Sequence, residues 1–213
     1  MSPSALLHPL RAAVVAAVMS VVLAVAPPAR ADSLTTDEST RLARGETVIR
    51  EHTWEPGYSA RYIGGVTYTI VDAAAPEVSA VLEDVSSYRR LLPKTKRVRL
   101  LGIEPNGDRL VELVQGTALV EAEYTIRLRH YPARREVRFW LEHTRPHEID
   151  DAWGYFRLEP FATPSGEQRS LLTYAILVDT GPGIVRELFE AKVRGALLSV
   201  PQLLRRYVAE IRH

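Results

Sequence analysis

Residues 122–143, AEYTIRLRHYPARREVRFWLEH, decide the fold. On both sides of Pro132-Ala133, apolar and charged residues alternate with the period of a half-buried strand. Pairing Tyr131 with Arg134 across that turn sets Leu128 opposite Val137, Ile126 opposite Phe139, Tyr124 opposite Leu141 and Ala122 opposite His143. One face is then apolar, with a phenol and an imidazole near one end. The other carries Glu123, Arg127, Arg129, Glu136, Arg138 and Glu142, which belong in water. A one-residue slip would mix the two faces, so this register is favoured.

Working outward, the same strand signal recurs at 62–72, 97–103, 109–115, 152–159 and 170–179, with the hairpin strands at 118–130 and 136–143. Turn chemistry separates these segments at Pro105-Asn106-Gly107-Asp108, Arg145-Pro146 and Pro164-Ser165-Gly166. Pro76 opens a helix bearing Val78, Val81, Leu82 and Val85, and a second short helical piece spans 87–92. After Gly181-Pro182-Gly183, a long amphipathic helix runs from 184 to 211, with Gly195 and Pro201 predicting a bend. Short connections make the strands an antiparallel meander, and the terminal helix has the only long apolar stripe able to cover it.

Three stretches resemble the START-like superfamily, also called SRPBCC or Bet v 1-like, and within it the polyketide cyclase and Coq10-like branches. They are Asp72-Ala73-Ala74-Ala75-Pro76-Glu77-Val78 with Val81-Leu82-Glu83-Asp84-Val85 and Tyr88…Leu91-Leu92-Pro93, then Trp153-Gly154-Tyr155-Phe156-Arg157-Leu158-Glu159-Pro160 with Leu172-Thr173-Tyr174, and the closing helix. The resemblance covers about residues 60–212. It implies an α+β helix-grip fold, a curved antiparallel sheet of about seven strands wrapped on the C-terminal helix around a cavity for a hydrophobic ligand. That superfamily includes lipid carriers, quinone-binding proteins, cyclases and hydrolases and has no invariant catalytic motif, so no catalytic residue is assigned.

The expected ligand site is the apolar face: Ile126, Phe139, Leu141, Gly154 and Phe156, with Tyr124 and His143 as polar groups, joined by Tyr68 and Tyr174 if their faces match. Ala152 and Gly154 point inward beside large residues, a pattern that suits an internal space and a closely packed helix equally. On the outward face Trp140, Trp153 and Tyr155 lie on neighbouring strands, and residues 32–57, with Trp54, are expected to fold across them. The stretch His143-x-x-x-His147-Glu148-x-Asp150-Asp151 has metal-ligand residue types, but Pro146 prevents a helix from presenting both imidazoles on one face. No metal and no cofactor is expected. Neither a nucleophile elbow, a P-loop nor a dinucleotide fingerprint is present.

The amino terminus carries the pattern of an export signal. Arg11 precedes an uncharged run from Ala12 to Ala26, broken by Pro27-Pro28 and followed by Ala29-Arg30-Ala31. That run is short of the roughly 20 apolar residues a bilayer span needs. The expected organisation is a cleaved signal at 1–31, a helix-and-strand extension at 32–57, and the ligand-binding domain at 58–213. In the extension, Thr35 and Glu38 have capping-box spacing.

Of 213 residues, 27 are basic and 26 acidic. Cleavage after Ala31 removes Arg11 and Arg30 and no acid, leaving 182 residues with 25 basic and 26 acidic, a net charge of −1. Such a balance gives no electrostatic footprint for nucleic acid. With no Cys, disulfides and thiolate chemistry are excluded. The leading expectation is a monomeric, periplasmic or otherwise secreted carrier of a lipid, quinone or polyketide-like molecule, with transient contact at a membrane surface. The alternatives are a cyclase/dehydratase-type enzyme using Tyr124 and His143 as acid and base, and an envelope interaction module using the outward aromatics.

Overall fold

A computed structural model describes residues 33–57, 59–117, 121–161 and 168–212. Helix α1 (Thr36–Ala43) and strand β1 (Val48–Trp54) come first, then β2 (Tyr62–Val71). Helix α2 (Ala75–Glu83), a 3-10 turn at Val85–Ser87 and helix α3 (Tyr88–Leu91) lead into a meander. Its strands are β3 (Thr95–Ile103), β4 (Arg109–Gly116), β5 (Glu121–Tyr131), β6 (Glu136–Leu141), β7 (Asp151–Phe161) and β8 (Arg169–Asp179). The chain closes with α4 (Ile184–Leu198) and α5 (Val200–Ile211). All neighbours are antiparallel in the order β1-β2-β8-β7-β6-β5-β4-β3, giving one curved sheet that is not closed into a barrel. There are eight strands rather than about seven, because β1 joins the sheet at its edge.

Thr35 forms the expected capping box with Glu38 at the start of α1. Within the long hairpin the faces are those expected, but the register is not. Tyr131 pairs with Glu136, Leu128 with Phe139 and Ile126 with Leu141, two residues away from the expected partners. The cause lies in the connection: Pro132–Arg134 form a 3-10 turn and Arg135 turns left-handed at φ 47°, so the loop uses four residues instead of two. A shift of two preserves every side chain's face, and the expected faces therefore hold.

The concave face runs across the sheet through Leu128, Phe139, Gly154, Ile176 and Gly65, each the Cα partner of the next or on the same side of its strand. Gly65 sits at φ 146°, and a Cβ there would lie 2.1 Å from the Arg50 carbonyl oxygen, so the sheet draws together where side chains are absent. Helix α5 covers this face with Val200, Leu204 and Val208 at four-residue spacing, all buried.

The bend in the terminal helix falls at Ser199, between the two residues expected to cause it. Pro201 has no N–H to offer the preceding turn, and Gln202 N–H bonds instead to the Ser199 carbonyl at 3.0 Å. That choice frees the Leu198 carbonyl, which accepts the buried Thr67 hydroxyl at 3.1 Å. Ahead of the bend α4 is held mainly by charge. Arg186 reaches Asp179 at 2.5 Å, Arg61 reaches Glu190 at 2.8 Å, and Leu188 is 67% exposed.

On the convex face, a second small core of Leu42, Val48, Tyr68 and Ile70 lies beneath α1. The extension thus covers this face over β1 and β2, whereas Trp153 stays 41% exposed beside its strand partner Trp140. Elsewhere the face is a lattice of arginines over buried carboxylates. Asp108, fully buried, accepts two hydrogen bonds from Arg129 at 2.7 Å and one from Arg127 at 3.3 Å. Glu136 similarly binds Arg138 and Arg157, and Arg129 lies 5.3 Å over the Trp140 ring.

Hydrogen bonding to Arg129 holds the Asp108 carboxyl down at about 2. A depressed folded-state pKa stabilises the fold above the unfolded value near 4 and is lost as the pH falls through the folded one. Stability is therefore expected to drop between about pH 4 and pH 2, by about 2 kcal/mol once Arg129's partial exposure is discounted. Asp108→Asn should flatten that part of a pH series of urea midpoints.

Candidate ligand site

Strands β5 to β8 place Ile126, Phe139, Leu141, Phe156 and Tyr174 together, all buried in the main core with Ala152 and Leu204. Three rings fill the centre: Phe156 and Tyr174 stack with centroids 4.7 Å apart, and Phe139 lies 5.7 Å from Phe156. The inward space left by Gly154 is taken, because a Cβ there would meet the Phe139 ring at 2.4 Å. The space at Gly154 is thus neither open nor taken by the helix but filled by a ring from β6.

The polar candidates separate. Tyr124 faces inward, and its hydroxyl donates to the Gln115 side-chain carbonyl. Gln115 in turn donates to Thr95 at 2.8 Å and to the Pro93 carbonyl at 3.2 Å, so a short polar chain crosses the start of β3. Burial raises the pKa of both Tyr124 and Tyr174, and the nearby Tyr124 raises Tyr174 further. Both phenols are therefore neutral at ordinary pH.

Tyr68 lies on the opposite face, under Leu42, because it is one residue out of phase with Thr67, the partner of Tyr174. His143 is in an exposed turn after β6, with its Nε2 3.2 Å from Asp151. Asp151 also accepts the Tyr62 hydroxyl at 2.8 Å. His143 and Tyr124 thus have different partners, Asp151 and Gln115.

Open space lies elsewhere on the concave side, in a groove of about 470 Å³ between the α2–α3 connection and β3. Val85, Val98, Leu100 and Ile103 make its apolar walls, and Glu83 and Asp84 stand among its lining residues. Val85 and Val98 also pack on the main core, so the groove opens directly onto the sheet's interior face. At one end Arg109 donates to the Glu83 carbonyl at 2.8 Å and lies 3.4 Å from His130. Burial, reinforced by Arg109, lowers the His130 pKa and keeps the imidazole neutral.

The sequence reading missed this groove, and β3 shows why. Strict alternation puts Leu100 and Ile103 on opposite faces. A bulge between Leu100 and Gly102 inserts one residue, so Leu100 pairs with Val111, Ile103 pairs with Arg109, and both face the groove. The glycine inside a strand pattern was the available signal.

No protein-family model matches the chain, and no curated protein matches its sequence. Solved structures do match its fold. The Zhui aromatase/cyclase from Streptomyces is 19% identical with a TM-score of 0.53, covering 79% of this chain and 97% of its own. A STAR-related lipid transfer protein from Xanthomonas axonopodis is 15% identical with a TM-score of 0.56, covering 75% and 98%. A START superfamily protein from Mycobacterium smegmatis is 16% identical with a TM-score of 0.52, covering 68% and 97%. The fold is START-like, of the helix-grip type.

Gly154→Ala tests the filled interior. The added methyl meets both the Phe139 ring and the Ala175 carbonyl oxygen, the latter at 2.2 Å. The variant should lose about 1–3 kcal/mol in denaturant unfolding, whereas a spacious cavity would absorb the methyl at little cost.

Proposed function

We propose that the protein is an exported carrier that binds a neutral hydrophobic small molecule, such as a lipid, quinone or polyketide-like compound, in the groove beside β3. The observation that carries this reading is an apolar groove of about 470 Å³ whose floor is the main core. Its size falls within the roughly 300–1,000 Å³ range of small-molecule sites. Leu100 and Ile103 are 45% and 63% exposed, and an apolar cargo covering them gains the usual hydrophobic free energy. Glu83 and Asp84 outnumber Arg109 among the charged lining residues, which disfavours a cargo that ends in a carboxylate or phosphate. A START-like fold shared with a lipid transfer protein and an aromatase/cyclase supports hydrophobic cargo as the class. Export rests on the uncharged run at Ala12–Ala26 and the Ala29-Arg30-Ala31 site.

Cells expressing the full chain should yield a processed protein beginning at Asp32, by intact mass, and an organic extract of it should contain a reproducible apolar compound. In a direct assay, the neutral fluorophore N-phenyl-1-naphthylamine should bind the wild type saturably. Leu100→Arg should weaken that binding about tenfold, since a buried charge in an apolar site costs more than 1.4 kcal/mol. Unchanged binding by the variant, together with a protein that is always ligand-free, would exclude the groove as a cargo site.

A further inference from the structure

A second pocket, of about 240 Å³, forms where the turn after α1 meets the ends of β2 and β8 and the side of α5. Its floor is Leu42 and Ile70 of the convex-side core. Around it stand three arginines, Arg44, Arg169 and Arg205, against a single carboxylate, Asp72. Asp72 is committed to Arg169, at 2.8 Å. Arg205 is fixed by one N–H, which donates to the Gly45 carbonyl at 2.9 Å, and a guanidinium has four more. Gly45 turns left-handed at φ 82°, a conformation that presents this carbonyl at the end of α1. Arg44 makes no ion pair among the described residues.

The lining therefore has two cations beyond those its acid neutralises. Like charges gathered around a small concavity repel one another, and an anion placed among them relieves that repulsion. Guanidinium forks match the paired oxygens of a phosphate, and such charge-assisted bonds are about twice as strong as neutral ones. We propose that this pocket binds a phosphate-type anion, either a phosphate ester head group or inorganic phosphate, with Arg44 and Arg205 as the contacting groups. Arg169 supplies positive field while it remains bound to Asp72. The pocket shares no lining residue with the groove beside β3 and sits at the ends of β2 and β8, so its occupant is distinct from the apolar cargo.

Isothermal titration of the full-length protein with inorganic phosphate tests the site. Saturable binding is expected, weakening as salt rises. Arg44→Gln should lower the affinity about tenfold, the loss of one charge-assisted hydrogen bond, while Arg134→Gln on the distant hairpin turn should leave it unchanged. Arg44→Gln removes no hydrogen bond or ion pair of that side chain among the described residues, so circular dichroism should show an intact fold. Arg205→Gln should weaken binding as well, and any loss of stability in that variant leaves the Arg44→Gln result decisive. Flotation with vesicles of phosphatidylcholine and phosphatidylglycerol distinguishes the sources. Capture that depends on Arg44 and is competed by inorganic phosphate identifies a lipid head group, whereas phosphate binding without capture identifies a soluble phosphate. Absence of saturable phosphate binding, or equal affinity in Arg44→Gln, would overturn the proposal. Neither result bears on N-phenyl-1-naphthylamine binding, so this site and the groove stand or fall separately.

Discussion

The concave face of the sheet has to be dry, and the bent terminal helix is what lies across it. Val200, Leu204 and Val208 do this over half its length by simple apolar contact. The other half, α4, meets the sheet edge through Arg186, Glu190 and Arg194 instead. The two modes meet at Ser199, where a proline two residues on prevents regular helix bonding and Thr67 of β2 satisfies a carbonyl thus released. A side-chain hydroxyl on the central sheet is therefore matched to a defect in the helix above it. The position of the bend sets where apolar burial ends and electrostatic support begins.

That division bears on where a ligand can sit. The middle of the concave face is occupied by Phe139, Phe156 and Tyr174, and Gly154 provides room for a ring rather than for cargo. Open volume occurs instead beside β3, where the sheet ends and the α2–α3 connection leaves a gap. The carrier reading thus moves from the centre of the sheet to its edge, and the residues that matter move with it.

Much of the fold was legible in sequence because it rests on periodicity. The hairpin faces followed from alternation of Ile126 and Leu128 with Arg127 and Arg129, and they survived an error of two residues in register. Periodicity is blind to loop geometry, and the left-handed Arg135 that lengthened the turn has no marker glycine or asparagine. The candidate site was less legible. Whether Tyr68 shares a face with Tyr174 depends on the pairing of strands more than a hundred residues apart, and the pairing puts Thr67 opposite Tyr174. The groove depends on a bulge that reverses a strand's phase at Leu101. His143 looked like a strand residue, yet β6 ends at Leu141. For Tyr68 and for β3, a single residue of phase set by distant contacts decided the chemistry.

The strand order has a kinetic consequence. β2, early in the chain, finds its second neighbour only in β8, with Ile63 opposite Val178 and the whole meander between them. Loop closure over such a separation comes before any of the contacts that reward it, so formation of this sheet is slow by topology. Until the last strand is made, β2 has just β1 to pair with, and a two-stranded hairpin is marginal by itself. The sheet therefore cannot be completed before β8 exists, whereas the β3–β8 meander can pair through neighbours in sequence.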